Sequence, residues 1–261
     1  MELTNYVEDK RSRVVLYGDP FTGKTTLAAQ LAMKYKLVWI DVEHGATSIV
    51  RNLDKQYHSN INLIQIPDSR TNPMAAETCL KIFSGAKCVI CIEHGKVNCP
   101  ICARVSDAKF NEVCLRELQN DQIVVLDSST QLFSSIMAHV TRNEKDDYKM
   151  NFDDWGTVGR ILDKIFSQIQ GGNYNCVVIA HAQMVGVEKS DRITKLVPIG
   201  GSSNFNRTYA KYFDDVVYCE LANGKHKFTS KTGASPQVIT GSKNNIAIED
   251  MAVPSLIPFF S

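Results

Sequence analysis

Gly18-Asp19-Pro20-Phe21-Thr22-Gly23-Lys24-Thr25 is the stretch that decides the fold. A short apolar run at 14–17 precedes it. After it, Leu27, Ala28, Leu31, Ala32 and Tyr35 recur at helical spacing. A strand, a loop bounded by glycines and a helix, in that order, fit the pattern G-x-x-x-x-G-K-[ST]. The glycines let backbone N–H groups curl around a phosphate, and the helix N-terminus adds positive potential. Lys24 reaches the β- and γ-phosphates of a nucleotide, and the Thr25 hydroxyl offers an oxygen to Mg²⁺. The expected cradle runs from Gly18 through Thr26 and takes ATP with Mg²⁺.

Further along, apolar runs at 37–40, 61–66, 123–126 and 176–180 read as strands. Helical patterns at 73–83 and from Asp153 or Asp154 to Ile169 lie between them, the second ended by Gly171 and Gly172. Strands alternating with helices imply right-handed βαβ units, hence an α/β fold with a mainly parallel twisted sheet flanked by helices. Stretches 213–219 and 225–230 read as later, more alternating strands, and 109–118 as a helix. Asp127 closes the run 123–126, at the strand tip that faces the ligand crevice of such a sheet, where it organises Mg²⁺. Asp41-Val42-Glu43-His44 ends the second strand, and Glu43 has the reach to act as the base that orients water for hydrolysis.

The 261 residues suit one large domain with a small insertion. A formal net charge of +1 gives no global pull toward nucleic acid or membrane, so any polyanion site must be local. No apolar run approaches the roughly 20 residues of a spanning helix. The eight cysteines are not laid out as a disulfide framework. Four of them, Cys88, Cys91, Cys99 and Cys102, form two C-x-x-C pairs, with Gly95 and Pro100 as turn residues between and within them. Two such turns complete a tetrahedron around Zn²⁺, and His94 is redundant beside four thiolates. The expectation is a zinc knuckle at 86–104 inserted in a core at 12–238, with a tail at 239–261, in a reducing cytoplasm.

Several stretches in order resemble the RecA family of recombinases, and most closely the short phage-type RecA-like ATPases of single-strand annealing and recombination. They are the phosphate loop, Trp39-Ile40-Asp41-Val42-Glu43-His44, Val125-Leu126-Asp127-Ser128-Ser129, Ile179-Ala180-His181-Ala182-Gln183 and Pro198-Ile199-Gly200-Gly201. The resemblance covers roughly residues 12–238. It implies a RecA-like core in which Glu43 activates water and either His181 or Gln183 senses the γ-phosphate. It also implies two loops, near 134–151 and 184–200, that bind single-stranded DNA through Arg142, Lys145, Lys149, Lys189, Arg192 and Lys195. Lysines and arginines in loops neutralise phosphates without reading sequence. Lys231, after the strand at 225–230, resembles the trans-acting lysines of bacterial recombinases, which implies a homo-oligomer, ring or filament. A phage-encoded chain would work in the cytoplasm of its bacterial host.

Two other readings stay open: a RecA-core ATPase acting on protein partners without DNA, and a small-molecule kinase. The pair Asp41 and Glu43 and the segment Gly200-Gly201 argue against the kinase.

Overall fold

The computed structural model describes residues 11–145, 147–186 and 194–261. Its centre is a sheet of β1 (Arg13–Gly18), β2 (Lys36–Asp41), β3 (Ile61–Gln65), β6 (Gln122–Asp127), β7 (Asn175–Ala180), β10 (Asp215–Ala222), β11 (Lys225–Thr229) and the short β12 (Gly241–Ser242). The order is β11-β10-β1-β7-β6-β2-β3, with β12 also on β10. Pairing is parallel from β10 to β3, and antiparallel only where β11 and β12 meet β10.

Strand alternation divides the core in two. Val15, Tyr17, Val38, Ile40, Val124, Leu126, Val178 and Ala180 face one side. There they meet α3 (Met74–Phe83), α4 (Ser129–Val140) and α5 (Phe152–Gly171). Val14, Leu16, Leu37, Trp39, Ile123, Val125, Val177 and Ile179 face the other side. That side is covered by α1 (Lys24–Ala29), the 3-10 turn after it, α2 (Ala46–Asn52) and the C-terminal segment. Both faces are dry, so the strands read as continuous apolar runs. Emptying one position, as in Leu126→Ala, costs about 2–5 kcal/mol.

The tail belongs to the core. Ile248, Leu256 and Phe259 are buried, and the Tyr35 hydroxyl donates to the Phe260 carbonyl at 3.1 Å. The helix expected at 109–118 is instead β5 (Phe110–Val113) and a single 3-10 turn at Leu115–Glu117. An antiparallel partner, β4 (Cys88–Cys91), takes up its backbone in the register Cys88 to Val113 and Cys91 to Phe110. The hairpin that carries the cysteine segment therefore extends past residue 104 to Val113. Its hairpin is tied down by Thr78, which donates to the Gly95 carbonyl, and by Asn111, which donates to the Leu63 carbonyl. Asn151, not Asp153 or Asp154, caps α5, and Asp154 closes the box by accepting from the Asn151 N–H.

Beyond β7 the chain forms a second hairpin, β8 (Ala182–Gly186) and β9 (Thr194–Pro198). A short α6 (Ser203–Asn206) follows. The buried Asn206 side chain accepts from the N–H groups of both Gly200 and Gly201.

Candidate functional site

The phosphate loop sits where β1 meets α1. A side chain at Gly18 would have its Cβ 2.0 Å from the Cys219 carbonyl oxygen, so only glycine lets β10 pass. Gly23 takes the left-handed conformation (φ 86°) that turns the loop into the helix. Phe21 is also left-handed (φ 66°), and its ring is 92% exposed at the crest. Thr22 donates to the Asp19 carbonyl and holds the loop closed on itself. Lys24 is buried, and its ammonium donates to the carbonyls of Gly18 (3.0 Å) and Asp19 (2.6 Å). Burial pulls its pKa down, against the charges of Cys219, Glu43, Asp127 and Asp19.

Across the crevice the Thr25 hydroxyl donates to Asp127 Oδ2 at 3.2 Å. Burial, together with the nearby Asp41 and Glu43, pushes Asp127 up to about 7 despite the Thr25 hydrogen bond and Lys24. A hydroxyl beside a carboxylate with an excess of local negative charge is an oxygen donor set that suits Mg²⁺. Asp41 has a supporting part. Its carboxylate accepts from the N–H groups of Gly45 and Ala46 and fixes the entry to α2. The Asp127 carbonyl accepts from the N–H groups of Val42 and Glu43, which sets Glu43 at the mouth of the crevice.

Glu43 meets His181 there, with Nε2 2.7 Å from Oε1. Burial raises the Glu43 pKa, but hydrogen bonds from His181 and Ser128 and the charges of His181 and Lys24 outweigh it, so the carboxyl stays below its ordinary value. His181 Nδ1 is buried with no partner among the described residues. The His181 N–H donates to the Thr130 hydroxyl, and its carbonyl accepts from Ile199 N–H at the foot of the β8–β9 hairpin. Gln183, the other sensor expected from sequence, is engaged elsewhere: its Oε1 accepts from the Asn206 side chain. Of the two, His181 is the one at Glu43.

The whole crevice is a cavity of about 910 Å³, in the range of small-molecule sites. Besides the residues above, Gln30, Ser48, Asn52, His226, Phe228, Val253 and Pro254 line it. None was foreseen. The alternation of β11 does place His226 and Phe228 on one face, but nothing local says that this face looks at the phosphate loop.

Lys231 lies outside the cavity lining, with its ammonium 2.7 Å from Asp250 of the tail and its N–H on Glu249. Among the residues expected at DNA, Arg142 pairs with Glu77 at 3.3 Å, Lys145 and Lys149 lie in the connection from α4 to α5, and Lys195 is on β9. Lys189 and Arg192 lie outside the described residues.

The metal set differs from the four cysteines expected. Cys91, His94, Cys99 and Cys102 place their donor atoms within 4.8 Å of one another. His94 Nδ1 is 3.2 Å from Cys102 Sγ and 3.8 Å from Cys99 Sγ. Zinc bonds of about 2.0–2.3 Å in a tetrahedron need donors at about these separations. Cys88 is not with them. Cys88 and Cys91 belong to a strand, whose period of two sends residues three apart to opposite faces. Cys88 joins Ile90 in the main core, while Cys91 meets Cys99 and Cys102. The turn that follows Cys91, closed by the Gly95 N–H donating to the Cys91 carbonyl, brings His94 into the fourth corner.

A family profile described as an AAA domain matches residues 10–243. The chain belongs to that AAA-domain family. The AAA-domain match spans the phosphate loop, Glu43, Asp127 and His181, so the crevice is that of a P-loop ATPase. No curated protein matches the sequence. Among solved structures, the AAA-domain chain is similar to a prototypical ATPase from the type III secretion system of pathogenic bacteria. The TM-score is 0.47 at 10% identity, over 80% of this chain and 52% of the other, so the chain spans about half of that protein's length. No helix among the described residues is long and apolar enough to cross a membrane.

Proposed function

We propose that this AAA-domain protein hydrolyses ATP in response to single-stranded DNA, as a RecA-like recombination or annealing ATPase working in a homo-oligomer. ATP supplies the phosphoanhydride bond, and Thr25 and Asp127 would hold Mg²⁺, which when bound would neutralise charge on the phosphates. Lys24 leaves the loop carbonyls to meet the β- and γ-phosphates. Water attacks the γ-phosphorus as its bond to the bridging β–γ oxygen breaks and ADP leaves; Glu43 accepts a proton from that water, and His181 aims the carboxylate.

The observation that carries the reading is the 2.7 Å contact between His181 and Glu43. His181 is one residue before the β8–β9 hairpin, and the sequence joining those strands, with β9 itself, holds Lys189, Arg192 and Lys195. A polyanion on that hairpin thus acts on the catalytic base through one side chain. The test is ATP turnover with and without oligonucleotides at low salt. Stimulation that fades as salt rises supports the reading, and indifference to DNA under those conditions removes it.

The knuckle favours a second reading, in which the ATPase works on a protein partner. Ile92, Ile101, Val105 and Phe110 are all exposed on the insertion around Cys91, His94, Cys99 and Cys102. We infer that these four residues hold a structural Zn²⁺ that stabilises the hairpin presenting that apolar surface.

A further inference from the structure

The cavity extends beyond what a triphosphate needs. Lys24, Thr25, Asp127, Glu43 and His181 occupy its phosphate end, and a nucleotide anchored there must send its base away from Glu43. The remaining walls include parts of the chain far apart in sequence: Gln30 at the start of the 3-10 turn after α1, Ser48 and Asn52 of α2, His226 and Phe228 of β11, and Val253 and Pro254 of the tail.

The two later walls are one unit. The N–H groups of Ser230 and Lys231 donate to Glu249, and the Ser230 hydroxyl donates to the Ile246 carbonyl, so β11 and the tail are joined. Val253 and Pro254 of the tail line the cavity as a strap between buried anchors, Ile248 before them and Leu256 and Phe259 after them. Between those anchors Val253 is 76% exposed. Lone exposed apolar residues are ordinary. This one lines the cavity beside Pro254, with Phe228 as another apolar lining residue. Gln30, from the opposite element, lines the same space, and its side-chain amide makes no hydrogen bond among the described residues.

From this arrangement we infer that the strap and β11 build the nucleobase subsite, with Val253, Pro254 and Phe228 as its apolar walls and Gln30 as the reader of the base edge. The inference rests on the nucleotide reading of the crevice and adds a specificity to it. A carboxamide offers a donor and an acceptor side by side. That pair matches the amino group and ring nitrogen of adenine, whereas guanine presents two acceptors at the same edge. The subsite is therefore selective for adenine nucleotides, and Gln30 sets the choice.

Calorimetric titration of the full chain with Mg²⁺ complexes of ATP, GTP and inorganic tripolyphosphate tests this. Tripolyphosphate uses the phosphate loop alone. Wild type should bind ATP about tenfold or more tighter than GTP, the scale of one bidentate amide contact. Val253→Asn should weaken ATP about tenfold, the scale of one lost apolar contact, with tripolyphosphate unchanged. Gln30→Ala should erase the preference for ATP over GTP. Photolabelling with 8-azido-ATP should mark the peptide containing Val253 and Pro254 or that containing Phe228. The subsite is overturned if both variants bind ATP as wild type does, if they weaken tripolyphosphate as much as ATP, or if the label falls only elsewhere. Wild type that binds neither ATP nor tripolyphosphate would overturn the nucleotide reading itself, and the subsite with it.

Discussion

His181 Nε2 and Glu43 Oε1 are 2.7 Å apart, although 138 positions separate them in sequence. The contact joins the tip of β2 to the foot of the β8–β9 hairpin. It also explains why Glu43 stays ionised in a partly buried place: burial alone would raise its pKa, and His181 is foremost among the groups holding it down.

From this comes a pH dependence. With Glu43 as the proposed base, which works only when deprotonated, the acid limb of kcat follows its carboxyl. In His181→Ala the burial remains while the hydrogen bond and charge are lost, so the Glu43 pKa rises and the acid limb moves to higher pH. A pH–rate profile of the variant checks this, and an unmoved limb would separate His181 from Glu43. Glu43→Gln should bind ATP normally and turn it over ~10²-fold or more slowly.

The metal set makes a prediction that a four-cysteine knuckle would not make. His94→Ala and Cys102→Ser should lose zinc, while Cys88→Ser should keep about one per chain by elemental analysis. Cys88→Ser still puts a hydroxyl in place of a buried thiol in the core beside Ile90, so its cost is to be looked for in thermal stability.

Asn206 is the pin of the hairpin. Buried, it accepts from Gly200 and Gly201 and donates to Gln183, so Asn206→Ala leaves several backbone and side-chain groups without partners. A loss of about 2–4 kcal/mol in denaturant unfolding is expected. Stimulation by a hairpin ligand should fall with it, since His181 and Ile199 are bonded at the same foot.

Where local rules governed, the sequence was legible. The glycines, Lys24 and Thr25 follow from the geometry of a strand–loop–helix, and Asp127 from its place at the end of a run buried on both faces. His181 and Gln183 were not separable, because strand alternation puts them on one face. Only the break between β7 and β8, with Asn206 claiming Gln183, divides their roles. Cys88 misled because a C-x-x-C pair reads as a turn, and its antiparallel pairing with Val113 is a tertiary fact. The strap over the cavity had no local signal at all. Its course follows from where Ile248, Leu256 and Phe259 find apolar cover on the face of the sheet opposite α3, α4 and α5.

Lys231 offers the last test. Its ammonium faces Asp250 of its own tail at the surface, outside the cavity that holds Lys24. Exposed pairs of this kind contribute little to stability, so Lys231→Ala should fold and melt as the parent does. Any loss of turnover then reports on catalysis. Among the described residues, Lys24 is the lone lysine or arginine lining the crevice, and charge that develops on a transferred phosphoryl group is commonly met by a second cation. If Lys231 of a neighbouring copy is that cation, it must first exchange Asp250 for the nucleotide. Asp250→Asn should then raise turnover, because the lysine is no longer held by its own chain. Mixing Lys231→Ala chains with Lys24→Ala chains should restore activity that neither has alone, through interfaces that combine an intact phosphate loop with an intact lysine. Normal turnover by Lys231→Ala in the presence of DNA would end the case for a trans-acting lysine.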